Sequence, residues 1–116
     1  MTTEQQRAIL ESAAKACCYT AYWNPSLEEW QKDLTDPYVN GMVWNPIDNS
    51  ADTASMCAKL NINYTWMCGY VECWKWDGPS IKLVHDDTDA DKEAAWRLAS
   101  SIVAAKIGGY TDEWHL

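Results

Sequence analysis

The chain has 116 residues and a net charge of −8, from 17 acidic and nine basic side chains. Its length suits one domain and is too short for two ordinary ones, and an apolar fraction of 47% is typical of a folded protein. No apolar run approaches the roughly 18 residues that a membrane helix needs, and the N-terminus lacks the basic stretch of a signal peptide. We therefore expect a cytoplasmic protein that binds neither membranes nor, directly, nucleic acid, because both of those partners need a cationic surface.

The cysteine and tryptophan contents are unusual for a chain of this size. Five cysteines are an odd number without a C-x-x-C pair, which favours buried free thiols over a disulfide framework or a zinc site. Eight tryptophans either fill the core with partly exposed edges or reach the surface, where tryptophan and tyrosine are common in protein interfaces.

The N-terminal third of the chain predicts a helix, a strand and a second helix. Residues 4–17 have helical spacing of apolar positions, with an expected core face of Ile9, Leu10, Ala13, Ala14 and Cys17. The aromatic-rich residues 18–23 predict a short strand. A helix through about residue 34 follows the Asn24-Pro25 turn, and residues 38–41 predict a loop or an edge strand.

The middle of the chain predicts a helix and an antiparallel hairpin. Asn49 or Ser50 would cap a helix over residues 51–60, with an expected inward face of Ala54, Cys57, Ala58 and Leu60. Residues 61–76 alternate, either as one long strand or as two strands broken near Gly69. One parity class of this segment contains nearly all of its large side chains: Ile62, Tyr64, Trp66, Cys68, Tyr70, Trp74 and Trp76. Residues 80–85 predict the strand that closes the hairpin.

The last helix is predicted over residues 89–107, with Thr88 and Asp91 forming a capping box and Gly108-Gly109 ending the helix. Its expected buried stripe consists of Ala94, Ala95, Leu98, Ile102 and Ala105. Residues 110–116 would form a loosely held tail. The order of elements predicts a single α+β domain over residues 1–116, with helices packed on an antiparallel sheet, similar to an α/β/α sandwich.

No residue pattern in the sequence indicates catalysis, a metal or a cofactor. When Asp87 is taken as the first ligand of a calcium loop, Lys92 occupies the glycine position and Leu98 the glutamate position. A Cys–His pair using His85 is conceivable, but no nucleophile motif or phosphate-binding glycine loop occurs. We therefore expect a protein that is not an enzyme. Its candidate partner-binding residues are Trp66, Trp74, Trp76, Tyr70, Asp86, Asp87 and Asp89.

The stretch WNPIDNSADTASMCAKLNI, from Trp44 to Ile62, is similar to the signature of the phage ABA-sandwich domain, a family of small bacteriophage and prophage proteins. The matching positions are Trp44, Asn45, Pro46, Asp52, Lys59, Leu60 and Ile62, and residues 13–16 and 94–108 agree more loosely. In the motif Trp44 would act as an anchor, Asn45-Pro46 as a turn, and Asp52 as part of the first helical turn. Asn61 stands where the family has glycine, so we expect it to adopt a left-handed conformation. The resemblance implies an α/β/α sandwich and a phage genome, and no common activity.

These observations together predict a phage accessory protein in the cytoplasm of its bacterial host. It would inhibit a host protein with a basic surface, for example a CRISPR-type immune effector, through acidic and aromatic side chains. A binder of a nucleotide signal and a virion structural or assembly protein are the alternatives. A homodimer is compatible with each of them.

Overall fold

The structure, a computed structural model, describes residues 2–23 and 37–111. It confirms an α+β fold with a small hairpin, a three-stranded antiparallel sheet and three described helices. The predicted helix after Asn24-Pro25 and residues 112–116 lie outside the described part. The elements in chain order are α1 (Thr3–Ala16), β1 (Tyr38–Val39), β2 (Met42–Val43), α2 (Ser50–Leu60), β3 (Ile62–Met67), β4 (Tyr70–Lys75), β5 (Ser80–Val84) and α3 (Asp89–Ile107).

Helix α3 lies at the centre of the fold, because it contacts the sheet, α1 and α2. Every residue from 99 to 105 is buried, so the helix has no solvent-facing side along this stretch. Of the predicted buried stripe, Ala95, Ile102 and Ala105 are confirmed as buried, but burial is not confined to one stripe. Ala94 is exposed and Leu98 is half-buried, whereas Ser100 and Ser101 are completely buried. A stripe forms on a helix with one neighbour, and α3 has neighbours on several sides.

Helix α1 approaches α3 closely at their C-terminal ends. A Cβ atom added to Gly108 would overlap the carbonyl oxygen of Ser12 and lie 3.2 Å from the amide nitrogen of Ala16. The expected core face of α1 is confirmed, since Ile9, Leu10, Ala13, Ala14 and Cys17 are all buried. The two helices thus meet with backbone against backbone at this point, which requires a residue without a side chain.

Both of these helices end in a Schellman motif. In α1 the amide of Tyr19 donates to the carbonyl of Ala14 at 2.8 Å, with Cys18 at φ 62°. The predicted strand over residues 18–23 is not formed, because Cys18 instead takes this left-handed position and only Tyr22 pairs with Tyr38, in an isolated bridge. In α3 the amide of Tyr110 donates to the carbonyl of Ala105 at 2.9 Å, and Gly109 is left-handed. Tyr110, which the sequence assigned to a loose tail, is therefore buried.

The turn that precedes α2 is organised around the buried side chain of Asn45. Its Oδ1 accepts hydrogen bonds from the amides of Ile47 at 2.9 Å and Asp48 at 3.2 Å. The backbone amide of Asn45 donates to Asp52 Oδ2 at 2.9 Å, which connects the turn to the first turn of the helix. Trp44 is also buried, so the matched motif has the structural roles that were expected of it.

Helix α2 begins and ends as predicted, and two of its four expected inward residues, Cys57 and Leu60, are buried. Asn49 caps its N-terminus, and Asn61 follows its C-terminus at φ 57°, the left-handed conformation expected there. Ala54 and Ala58, both predicted to point inward, are exposed. The buried positions are Thr53, Met56, Cys57 and Leu60. The Thr53 hydroxyl donates to the carbonyl of Pro46 at 2.6 Å, which rotates the helix towards the preceding turn.

The three-stranded sheet is a meander in the order β3-β4-β5. Met67 pairs with Tyr70 across a two-residue turn, so residues 61–76 form two strands. Because of this turn, residues of the same parity lie on opposite faces of the sheet in β3 and β4. Side chains at even positions of β3 share a face with those at odd positions of β4, and the predicted aromatic series is divided between the two faces. We call the face that contacts α3 the inner face, since it includes Cys73, whose Sγ lies 3.4 Å from Ser100 Oγ. The other is the outer face.

The three described helices leave the outer face uncovered. Helix α3 covers the inner face and α1 packs on α3. An α/β/α sandwich has helices on both faces of its sheet, and within residues 2–23 and 37–111 that second layer is not present. In the same described ranges no helix is long and apolar enough to cross a membrane.

Strands β1 and β2 form a separate small hairpin. Asn40 at φ 53° and Gly41 at φ 79° occupy its turn. An Asn-Gly pair suits a type I′ turn, in which both central residues are left-handed. The sequence prediction of a loop or edge strand at residues 38–41 missed this partner strand.

Gly108→Ala is expected to destabilise the protein by about 3 kcal/mol or more, because a methyl group must displace the backbone of α1. Gly109→Ala is the matched control. A Cβ atom there meets nothing within 4 Å, and its cost is only that of a left-handed alanine, about 1–2 kcal/mol. Urea denaturation of both variants measures the difference. Equal losses would show that α1 and α3 do not make this close contact.

Candidate binding surface

The outer face of the sheet carries an open groove of about 450 Å³. Tyr70 and Trp74 enter it from β4, Met67 from β3, and Trp76 from the turn that follows β4. All residues that line it belong to the three-stranded sheet or its turns. The sequence did not identify Met67 as a candidate. The two-residue Cys68-Gly69 turn was the signal that could have placed it beside Tyr70.

Trp76 is the most exposed aromatic side chain of the groove, at 80% exposure. Its turn is held at both ends. The Gly78 amide donates to the carbonyl of Lys75 at 2.9 Å, and the Lys75 amide donates to the carbonyl of Pro79 at 3.0 Å. Asp77 takes a left-handed conformation within it, at φ 56°. The indole is thus presented to solvent from a closed and ordered turn.

The lysines on this part of the sheet have partners within the chain. Lys82 lies opposite Glu72 in the β4–β5 register, and its Nζ lies 5.2 Å from the centre of the Tyr70 ring. Lys75 Nζ donates to the carbonyl of Leu60 at 2.7 Å, at the C-terminus of α2, where the helix dipole favours a cation. The groove lining therefore offers aromatic rings and two carboxylates, Glu72 and Asp77, against one lysine, Lys75.

Trp66 belongs to a different cluster, on the inner side of the sheet. Its ring meets Tyr64 at 6.1 Å and His85 at 5.8 Å, both edge to face, and Tyr64 meets Trp96 at 5.6 Å. Trp66 is 44% exposed because β3 is an edge strand and α3 does not extend over its end. The predicted grouping of Trp66 with Trp74 and Trp76 is therefore wrong.

The acidic run lies at the other end of β5 from Trp76. Asp86 and Asp87 are exposed in the loop that follows β5, and Asp89 is in the first turn of α3. The Thr88 hydroxyl accepts a hydrogen bond from the Asp91 backbone amide at 3.2 Å, so Thr88 is the N-cap of α3 and forms one of the two hydrogen bonds of the predicted capping box. Among residues 2–23 and 37–111, no group of three or more His, Cys, Asp or Glu side chains could hold a metal ion.

The structure thus separates the seven predicted binding residues into three places. Tyr70, Trp74 and Trp76 share the outer groove. Trp66 lies on the inner side next to His85. The third place is the loop and first helical turn after β5, with Asp86, Asp87 and Asp89. Of the three, only the first group lines the outer groove.

The cysteines are free, and burial raises the pKa of three of them, Cys17, Cys57 and Cys73. Burial raises the pKa of both the Cys17 and the Cys73 thiols to about 11. Thiols of this kind are poor nucleophiles at neutral pH, because the thiolate is the reactive form. Cys18 and Cys68 are exposed, so the prediction of buried thiols was wrong for these two.

No protein-family model matches the sequence, and neither a curated protein nor a solved structure matches it. The likeness to phage ABA-sandwich proteins thus stays a prediction that depends on the motif from Trp44 to Ile62. The function has to be argued from the surface of the molecule.

The raised thiol pKa values predict a loss of stability at alkaline pH. The unfolded chain releases a thiol proton near pH 9, whereas folded Cys73 keeps its proton up to about pH 11. The free energy of unfolding should therefore fall with rising pH between these values, by at most about 1.4 kcal/mol per pH unit for each thiol. Urea denaturation of the wild type and Cys73→Ala from pH 8 to 11 isolates this contribution, because tyrosine and lysine titrations are common to both. Identical slopes would show that the Cys73 thiol is not shifted.

Proposed function

We propose that the protein acts by binding, not by catalysis, and that its outer groove docks on a basic surface of another protein. The observation that carries this proposal is the outer face, which no helix among the described residues covers and where Trp76 projects 80% exposed beside Trp74 and Tyr70. Buried tryptophan and tyrosine anchors contribute much of the binding free energy in protein interfaces. Several exposed apolar side chains that form one contiguous patch are typical of a site where a partner binds.

The preference for a basic partner follows from charge. The chain carries −8 overall, and the two carboxylates near the groove, Glu72 and Asp77, stand beside aromatic rings. Aromatic faces attract lysine and arginine side chains, as the approach of Lys82 to Tyr70 illustrates within the chain itself. An arginine or lysine of a partner can therefore stack on Trp76 while pairing with a neighbouring carboxylate.

The resemblance to phage proteins indicates which kind of basic protein would be the partner. A small acidic phage protein that covers the cationic groove of a nucleic-acid-binding host protein would compete with that protein's substrate. Inhibition of a host immune effector, such as a CRISPR-type nuclease in the bacterial cytoplasm, is the form of this function that we propose. A nucleotide ligand is less well supported, because phosphates need cations and the groove lining has one lysine, Lys75, against two carboxylates, Glu72 and Asp77.

Trp76→Ala is expected to weaken partner binding by about 30-fold, which corresponds to an interface hot spot of about 2 kcal/mol. The bait is the tagged protein, incubated with lysate of a bacterial host at low salt, and bound proteins are identified and then titrated. Tyr22→Ala is the control, since Tyr22 is 65% exposed and lies outside the groove. Equal retention by the two variants, or no basic protein retained by the wild type, would contradict the proposal.

Neutralising the acidic loop should affect the association rate instead. Asp86→Asn/Asp87→Asn removes two charges that the structure places away from the aromatic groove. Charges at the rim of an interface steer the encounter, so we expect a lower association rate and a weaker salt dependence, with the dissociation rate unchanged. Surface plasmon resonance at several salt concentrations separates the two rates. A faster dissociation would mean that the loop is part of the buried interface.

A further inference from the structure

The edge of the sheet formed by β3 has no partner strand within the described residues. Two hydrogen bonds show which backbone groups point there. The Lys75 amide donates to the carbonyl of Pro79, and the His85 amide donates to the carbonyl of Gly69. The backbone N–H and C=O groups of the odd-numbered residues of β4 therefore point towards β5. In an antiparallel pair, the residues opposite them turn the other way.

Those opposite residues are the even ones of β3. Ile62 pairs with Lys75, Tyr64 with Cys73, and Trp66 with Val71. The amide and carbonyl groups of Ile62, Tyr64 and Trp66 therefore face outward along the free edge. An edge of this kind is a ready template for another strand.

The two edges of the sheet differ in how they are protected. Strand β5 follows Pro79 and carries Lys82 at its centre, both of which discourage pairing with another strand. Strand β3, with the sequence INYTWM, contains no charge, no proline and no glycine, and all of its residues after Ile62 are exposed. These properties favour the pairing of β3 with another strand.

We propose that β3 pairs antiparallel with β3 of a second copy of the chain, about a two-fold axis at Tyr64, to form a six-stranded sheet. The three outward residues of each copy then meet in order, with Ile62 opposite Trp66 and Tyr64 opposite Tyr64. This register makes about six intermolecular hydrogen bonds. It also covers side chains that are about half exposed in one copy, namely Tyr64 at 48% and Trp66 at 44%.

The absence of charge on β3 is what favours a second copy over a different partner. The molecule as a whole carries −8, so two copies repel each other wherever their charged surfaces face, and an uncharged strand is where they can meet. A basic partner is drawn instead to the acidic surface. The two kinds of binding therefore respond oppositely to salt, which weakens attraction to a basic protein and weakens repulsion between copies.

Sedimentation velocity over a concentration series tests the pairing, with Tyr64→Pro and Tyr64→Ala as matched variants. Both variants lose the tyrosine ring, but only proline removes the backbone N–H that would bond across the axis. Because this N–H points outward from an edge strand, it makes no hydrogen bond within the sheet of one copy, and proline can replace tyrosine there. Loss of the two central hydrogen bonds should weaken the dimer of the proline variant roughly 10- to 100-fold relative to the alanine variant. The wild-type dimer should become tighter at high salt.

Hydrogen exchange of the wild type provides a test without a mutation. The amides of Ile62, Tyr64 and Trp66 should become protected as the protein concentration rises, while that of Thr65, bonded within the sheet, stays protected throughout. A wild type that is monomeric at all concentrations up to several hundred micromolar would overturn the proposal. So would equal dimerisation of the two variants, or capture of a different protein along β3. None of these results decides whether Trp76→Ala binds the partner more weakly than Tyr22→Ala, so the two proposals fail separately.

Discussion

The close contact between α1 and α3 at Gly108 sets the architecture of this domain. It allows α1 to cover the side of α3 that faces away from the sheet, so that α3 is enclosed along residues 99–105. Small side chains make this possible, since larger ones would hold the two backbones apart. Once α3 covers the inner face of the sheet and α1 covers α3, the described core is complete on that side. No described helix covers the outer face within residues 2–23 and 37–111.

The same contact explains where the tryptophans lie. Layers that are filled by alanine, serine and short aliphatic side chains have little room for an indole ring, because protein interiors are close-packed. Among the described tryptophans only Trp44 is buried, where it packs against Tyr19 at the end of α1. The two alternatives that composition left open thus have a clear outcome for residues 2–23 and 37–111. Trp23 and Trp96 are half-buried against the core, whereas Trp66 and Trp76 are exposed.

Features set by neighbours in the sequence could be predicted, and features set by tertiary contacts could not. The caps at Thr88 and Asn49, the left-handed Asn61 and the helix end at Gly108-Gly109 each depend on a few adjacent residues. The all-round burial of α3 depends on α1, which lies about 90 residues away in the chain. For the candidate site, the aromatic residues were identified but their grouping was not. A two-residue turn at Cys68-Gly69 moves Trp66 to one face and Trp74 to the other, which counting alternate positions along one strand cannot reveal.

The groove opens perpendicular to the plane of the sheet, whereas the free edge of β3 lies in that plane. A two-fold axis that pairs two edges in one sheet is perpendicular to that sheet, so both outer faces of a paired molecule point in one direction. Two copies of Trp76 would then be presented side by side to a single large partner. Attachment of the first groove raises the effective concentration of the second, and the resulting avidity can exceed the affinity of one groove by about 10²- to 10⁴-fold. A weak contact made by one small aromatic groove would be sufficient for tight binding to a partner that repeats its basic segment at the matching distance.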